Sequence, residues 1–371
     1  MVSLFTRCPE NPIVVPGGFP WRMAVTFNPG VIYENGRFTL FERCAGQLRP
    51  FICQIGMLES EDGVHFRQVG EEPVFRPEDC GTPDAPGSPY GSVQDPRVVR
   101  INGTYYMTFA YRPYAWSSHS TAVGVPDSHE TEFPGVERAP YDAENAGSGN
   151  VQGGRPDNMT RSGIAESSDL RNWRFHAWVS APDIDDRDVI LFPEKIRGKF
   201  VALRRPLQFV GPEYGTTGPS IWLSESDDLE TWSAPELVAK AEFPWEDNRI
   251  GGSTPPIRTE QGWLVLYHGV QTLDASIKRV IYRVGAMMLD LKDPTKVIAR
   301  PSDFIMEPET YYERFGAYIP NVIFPTANVV KDGIVYLYYG CCDTSIGLAT
   351  CPLDSLVDWV MSRKGWTDVE S

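Results

Sequence analysis

The chain has 371 residues, with 34 Lys and Arg against 49 Asp and Glu, for a formal net charge of −15. Such an acidic balance excludes nucleic acid or an anionic membrane as the main partner, because both require a basic face. Hydrophobic residues make up 42% and aromatics 12% of the chain, enough for a large core, which excludes a disordered or low-complexity protein.

The opening residues, MVSLFTRCPENP, lack a basic stretch followed by an apolar run, so no signal peptide is expected. No run approaches the roughly 18 apolar residues of a membrane helix. Seven Cys, two of them adjacent at Cys341 and Cys342, do not make a disulfide framework in a chain this large. The expected compartment is the reducing cytoplasm.

Along the chain one pattern recurs: a turn glycine between two apolar, aromatic-rich runs. It occurs as VIYENGRFTLFER around Gly36, VVRINGTYYMTFAYR around Gly103, LFPEKIRGKFVALRRP around Gly198, PPIRTEQGWLVLYHG around Gly262 and NVVKDGIVYLYYG around Gly333. Asn-Gly and Asp-Gly between such runs signal tight hairpins. The five glycines lie 67, 95, 64 and 71 residues apart. A second pattern alternates with the first. Ser60, Ser167 and Ser226 each open an S-x-D turn, with an aromatic six residues on at Phe66, Trp173 and Trp232. Weaker echoes stand at Leu289–Pro294 and at Leu353–Leu356 with Trp359. An Asp or Ser can close such a turn with its own side chain, and the aromatic then starts an outer strand.

Each unit therefore reads as two core strands, a third strand, a turn and an outer strand. Five units of about 60–70 residues predict an all-β, five-bladed β-propeller, against the alternative of a β-sandwich. Residues 1–371 are expected to form one catalytic propeller. Residues 113–163, polar and rich in Gly and Pro, are expected to be an insertion loop roofing the site. Pro77–Ser92 is a smaller excursion.

An antiparallel hairpin puts the start of its first strand beside the end of its second. Polar residues at those places should meet at one mouth of a propeller channel. They are Asn28, Arg43, Asp95, Arg112, Arg187, Asp188, Arg205, Arg249, Tyr267, His268 and Asp343, with Arg49 just beyond Arg43. Guanidinium forks bind phosphate or carboxylate oxygens, while carboxylates orient sugar hydroxyls and deliver protons. The set points to a polyhydroxylated substrate together with an anion; the alternative is ion bridging between blades. Trp21, Tyr90, Tyr114, Trp116 and Tyr318 could stack on a sugar ring or pack in the core. The five His lack ligand spacing, so no metal is expected. There is no G-x-S-x-G elbow, no P-loop and no convincing dinucleotide fingerprint.

These residues carry a resemblance. The chain resembles glycoside hydrolase family 130, the mannoside phosphorylases and β-mannosidases. The matching segments are FNPGVI with FER (27–43), QDPRV (94–98), DRDVILFPEKIRGKF (186–200), LRRP (203–206), RIGGSTPPIRTEQGWLVLYHGV (249–270), YRVGAMMLDLKDPTKVIAR (282–300), PNVIFP (320–325) and YYGCCD (338–343). The resemblance implies a five-bladed propeller. It implies that Asp95 is the catalytic acid and that Asn28, Arg43 and Asp343 hold the mannosyl unit. Arg187, Arg205, Arg249 and Tyr282 fall where the phosphorylases grip inorganic phosphate. Arg49 matches a further basic position, and His268, at the channel mouth, is assigned to substrate binding. Four departures stand out: Arg249 for Lys, Asp188 for Asn, Pro29 for Ser, and no obvious equivalent of a His that follows L-x-R-P in some phosphorylases.

The implied reaction is inverting phosphorolysis of a β-mannoside, such as a manno-oligosaccharide or a mannosyl-glucose, releasing α-mannose 1-phosphate. By that resemblance, the proton of Asp95 passes through a mannose hydroxyl. No cofactor is expected, inorganic phosphate being a co-substrate. One alternative is an inverting β-mannosidase, which needs a carboxylate base about 6.5–9.5 Å from the acid; Asp188, Glu194 and Glu246 are candidates by position. Glu194 could instead sit in a buried salt bridge with a channel arginine. A second alternative is a non-catalytic carbohydrate-binding propeller, and a third an arabinan- or fructan-active enzyme, which would not need clustered arginines. The family precedent permits a homo-oligomer.

Overall fold

The computed structural model describes residues 4–48, 50–113, 159–277, 279–317 and 319–362. The first strand, β1 (Thr6–Arg7), is followed by the four strands of the first blade: β2 (Val25–Glu34), β3 (Arg37–Ala45), β4 (Gln54–Ser60) and β5 (Arg67–Gln68). The second blade comprises β6 (Ser92–Ile101), β7 (Thr104–Arg112), β8 (Arg161–Ser167) and β9 (Arg174–Trp178). The third comprises β10 (Asp186–Leu191), β11 (Phe200–Pro206), β12 (Ile221–Ser226) and β13 (Glu236–Ala239). The fourth is built from β14 (Arg249–Gly252), β15 (Ile257–Arg258), β16 (Trp263–Asp274), β17 (Arg279–Leu289) and β18 (Val297–Ala299). In the fifth, β19 (Ile323–Lys331), β20 (Ile334–Cys341) and β21 (Ser345–Pro352) are joined by β1. Innermost strands meet in order, β2 on β6, β6 on β10, β10 on β14, and β19 back on β2. The fold is a five-bladed β-propeller.

Local turn chemistry sets the blades. Four of the five glycine turns have two successive residues at positive φ: Asn35–Gly36, Asn102–Gly103, Arg197–Gly198 and Asp332–Gly333. That is the tight hairpin whose twist matches the strands it joins. The S-x-D turns are alike in all three places. Ser167 Oγ accepts the amides of Asp169 and Leu170, and Asp169 Oδ1 accepts those of Arg171 and Asn172. Ser60 with Asp62, and Ser226 with Asp228, repeat the arrangement. Phe66 and Trp173 directly precede β5 and β9. Asp290 Oδ1 closes the fourth-blade turn on the amides of Lys292 and Asp293.

The core lies in the seams between blades rather than on the axis. Phe41, Ile55 and Met57 of the first blade pack against Val98, Met107 and Phe109 of the second. Val99 and Ile101 meet Val189, Leu191 and Phe200 in the next seam. Leu266 and Ala286 of the fourth blade meet Ile323 and Leu337 of the fifth. Full burial of one such side chain contributes about 1.5–3 kcal/mol.

Three expectations are corrected. Residues 161–163 belong to β8, so the insertion stops before them; residues 114–158 lie outside the described residues. The Leu353–Leu356 segment is not a strand turn but a helix, Leu353–Met361, with Leu356, Val357 and Val360 buried. Apolar residues at 353, 356, 357 and 360 follow the helical period. The outer strand of the fifth blade is therefore β1, with Thr6 opposite Thr350 and Arg7 opposite Ala349. Among the described residues no helix is long and apolar enough to cross a membrane.

Candidate active site

Three innermost strands carry the same irregularity at the same depth. The ladder slips between Phe27 and Gly30 in β2, between Gln94 and Arg97 in β6, and between Arg187 and Ile190 in β10. The first displaced residue is Asn28, Asp95 or Asp188, each at positive φ (45°, 52° and 52°). Asn and Asp tolerate that region best among residues with a side chain. Pro29 and Pro96 follow the first two, which costs little because a bulged residue is unpaired. Three blades thus deliver a short polar side chain to one cleft. Its walls also include Arg43, Arg187, Arg205, Arg249, His268, Tyr282 and Asp343, and it encloses about 810 Å³ out to its open mouth.

One side of the cleft is built around Asp95. Its Oδ1 accepts Asn28 Nδ2 at 2.8 Å and Arg43 Nη1 at 2.9 Å. Among the described residues no donor reaches Oδ2. Arg43 stands opposite Phe27 across the first hairpin. Its guanidinium lies 4.4 Å from the Phe27 ring centroid, and its Nε donates to Cys53 Sγ at 3.3 Å. Burial works against the Arg43 charge, but Cys53, Asp95 and Asp343 together raise its pKa. Asp343 sits in the turn after β20 at φ 50°. Burial pushes its carboxyl up, Arg43 partly offsets this, and Asp95 adds a like charge; the outcome is a pKa of about 7.

The other side is cationic. Arg187 and Arg205 are cross-strand partners in the third blade. Arg187 is braced by Asp185 through Nε at 3.0 Å and Nη2 at 3.4 Å. Arg249 donates to Asn248 Oδ1 and to the Tyr282 hydroxyl. Arg205 Nε stands 2.7 Å from Asp188 Oδ2, an ion pair too oblique for a hydrogen bond. Among the described residues the two Nη groups of Arg205 meet no acceptor. Burial lowers the Arg205 pKa; Asp188 opposes this, while Arg249 and Arg187 lower it further.

Asp188 is the hub of this side. Its Oδ1 accepts Arg97 Nη2 at 3.2 Å, and His268 Nε2 is 3.7 Å from Oδ2. Burial opposes its charge, but the guanidiniums of Arg205, Arg97 and Arg187 bring its pKa down to about 2. His268 is held neutral by burial, reinforced by Arg205, Arg249 and Arg97, against the pull of Asp188. Its Nδ1 faces Ser253 Oγ at 3.2 Å. A Cβ at Gly251 would collide with Asp188 Oδ2 and the His268 ring, so the close approach of β14 requires glycine there. Four arginines face three aspartates in the cleft, leaving a positive surplus inside an acidic protein.

Ten sequence candidates therefore converge: Asn28, Arg43, Asp95, Arg187, Asp188, Arg205, Arg249, His268, Tyr282 and Asp343. Others do not. Glu194 is half-exposed and pairs with Arg258 at 3.1 Å; it is neither in the cleft nor in a buried bridge. Glu246 is fully buried behind the fourth blade, where Arg300, the Tyr267 hydroxyl and two backbone amides hold both oxygens. Neither can serve as a base at the cleft. Arg112 is buried opposite Ser92, close enough to Asp185 to act on its charge, and does not line the cleft. Trp21 donates to Glu71 O, and Tyr90 is absent from the cleft walls. Arg49, Tyr114, Trp116 and Tyr318 lie outside the described residues. Sequence reasoning missed Arg97, Asp185 and Cys53, which position cleft residues. The first two sit inside D-P-R and D-D-R-D, motifs in which their neighbours alone received roles.

The family model for glycoside hydrolase family 130, described as beta-1,4-mannooligosaccharide phosphorylase, matches residues 8–145 and 151–362. The 1,2-beta-oligomannan phosphorylase of Thermoanaerobacter sp. (strain X514) is 33% identical over 351 residues, covering 92% of this chain and 95% of that protein. The beta-1,4-mannooligosaccharide phosphorylase of Ruminococcus albus is 28% identical over 362 residues, covering 96% and 91%. In fold, the chain is similar to a solved beta-1,2-mannobiose phosphorylase from Listeria innocua, with a TM-score of 0.71 at 23% identity over 96% of this chain and 99% of that one. With the propeller, the convergent cleft and a match along most of its length, the chain belongs to glycoside hydrolase family 130.

Proposed function

We propose that this protein cleaves β-mannosides by inverting phosphorolysis, moving a non-reducing mannosyl unit onto inorganic phosphate and releasing α-mannose 1-phosphate. The observation that carries this reading is Arg205: a buried guanidinium beside two like charges, with both Nη groups lacking an acceptor. An oxyanion supplies what that group lacks. Phosphate is assigned to Arg187, Arg205, Arg249 and Tyr282. The mannosyl unit is assigned to Asn28, Arg43, His268 and Asp343.

In the proposed step, a phosphate oxygen attacks the anomeric carbon from the face opposite the leaving sugar. The bond to the leaving oxygen breaks and that oxygen takes a proton routed from Asp95. Phosphate enters with one proton and leaves, esterified, without it, so the proton restores Asp95 and the charges balance. Fixed guanidiniums hold the anion without reorganising as charge develops. The reaction requires no metal or cofactor. A hydrolase would need a base with a pKa near the working pH. Asp188, at about 2 and engaged by Arg97 and Arg205, is poorly suited to that task. Seven free thiols accord with work in a reducing compartment.

The test is a panel of β-linked mannosides incubated with and without phosphate and assayed for mannose 1-phosphate and free mannose. Phosphate-dependent formation of mannose 1-phosphate is expected. Equal turnover in phosphate-free buffer, with free mannose as product, would refute the reading. Asp95→Asn is expected to cut turnover by about 10²–10⁴-fold with an unchanged circular dichroism spectrum.

A further inference from the structure

An exposed aromatic pair stands at the rim of the cleft. Tyr311 is 78% and Phe315 60% exposed, and their ring centroids are 5.1 Å apart. They begin and follow the short helix Tyr311–Arg314. The fold anchors that helix by its other face: Glu313 is fully buried, and Tyr312 packs against the core shared by the fourth and fifth blades. Two large rings side by side in water are a cost that a fold held from the opposite face does not require. The pair is also tied to the cleft. Gly316, directly after Phe315, rests on the turn that presents Asp343; a Cβ there would stand 2.4 Å from Cys342 Cβ. The Ala317 amide donates to Thr344 Oγ1 at 2.7 Å, and that hydroxyl donates to Cys342 O at 2.8 Å. Ile319, four residues after Phe315, lines the cleft beside Asp343. The two rings therefore stand just outside the wall that Asp343 and Ile319 form.

We propose that Tyr311 and Phe315 form an outer subsite that stacks on sugar units beyond the leaving sugar, so that the favoured substrates are β-mannoside oligosaccharides rather than disaccharides. The inference rests on the phosphorolytic reading and names a substrate class for it. Transfer of a non-reducing mannosyl unit requires that unit to sit inside the cleft. The remainder of the chain then leaves through the open mouth and crosses the rim. A pyranose carries a face of C–H groups that packs on an aromatic ring while its hydroxyls stay in water at the edges. Two adjoining rings give a surface longer than one sugar. Aromatic side chains also have few torsions to freeze, so contact with them costs little entropy.

The experiment is initial-rate phosphorolysis by the full chain of a β-mannobiose, mannotriose and mannotetraose of the linkage it cleaves, at saturating phosphate, read as kcat/KM. The wild-type protein is expected to favour the tetraose over the biose by about tenfold, the scale set by covering part of two aromatic rings. The double variant Tyr311→Ala, Phe315→Ala is expected to reduce that ratio to under about threefold, chiefly through the KM of the longer chains. Tyr311→Phe keeps the ring, and the ratio should persist; its collapse there would assign the effect to the hydroxyl and overturn stacking. A thermal melt of each variant shows that it is folded. Wild-type kcat/KM that does not rise with chain length overturns the proposal without recourse to a variant. So does an unchanged ratio in the folded double variant, which would place the outer sugars elsewhere on the rim. If no length yields mannose 1-phosphate, the phosphorolytic reading falls and takes this inference with it. If mannose 1-phosphate forms equally well from every length, the outer subsite alone is overturned.

Discussion

Arg205, buried, and Asp343, half-buried, both line the cleft, and they fail in opposite directions. Removing Arg205 takes away the guanidinium with the most unmet donors. Arg205→Ala is expected to raise the KM for phosphate about 10²-fold while the KM for sugar moves little, as initial-rate kinetics varying each substrate will measure. Arg205→Lys keeps the charge but loses the fork, so it should recover only part of the loss. Asp343 is raised from a usual 3.8 to about 7 by its burial. The folded state therefore favours its protonated form. That contribution is complete below about pH 4 and is lost as pH rises through 7. Asp343→Asn removes the ionisation, so the fall in Tm of the wild-type protein between pH 5 and 8 should flatten in the variant. Equal slopes in a thermal-melt series would show that Asp343 ionises freely.

At the scale of elements, turns and bulges were unequally legible. The glycine turns and S-x-D turns were readable because their chemistry is local: a left-handed residue, or a side chain closing on amides two and three residues ahead. Ser167→Ala deletes one such closure, on the amides of Asp169 and Leu170. It should cost about 1 kcal/mol in denaturant unfolding without changing turnover. The cleft residues could be gathered because hairpin geometry brings strand ends together. The bulges that aim Asn28, Asp95 and Asp188 were visible only as polar letters near strand starts. Glu194 lies in the connection between β10 and β11, and Glu246 in the short turn Pro244–Glu246 ahead of β14; off the strands, hairpin geometry gives no direction, and that is why they looked as eligible as Asp188. The helix at Leu353–Met361 was mistaken for a turn because its D-S-L letters fit both patterns, while its apolar spacing fits only the helix.

For the whole molecule, the one connection hidden from sequence reasoning was closure of the ring. A two-residue strand has no periodicity, and its partner lies more than 300 positions away. The closure is fastened by Arg7, whose Nε donates to Glu313 Oε1 at 2.8 Å and whose Nη1 donates to Glu309 at 2.9 Å. Glu313 is fully buried and also takes the Tyr339 hydroxyl and the amides of Glu309 and Thr310. Arg7→Met would strand that carboxylate; a loss of about 2–4 kcal/mol is expected, read as a lower midpoint in urea. A loss under about 0.5 kcal/mol would mean that the amides alone satisfy Glu313.

Because β1 completes the blade that holds Asp343, the order of synthesis constrains when the enzyme can work. The ribosome releases Thr6 first, but its pairing partner Thr350 emerges only after four blades have been made. A nascent chain halted before β19 would already possess Asn28, Asp95 and the phosphate-side arginines, yet lack Asp343 and leave the flanks of the first and fourth blades wet. The cleft is therefore complete only once the fifth blade and Asp343 are in place.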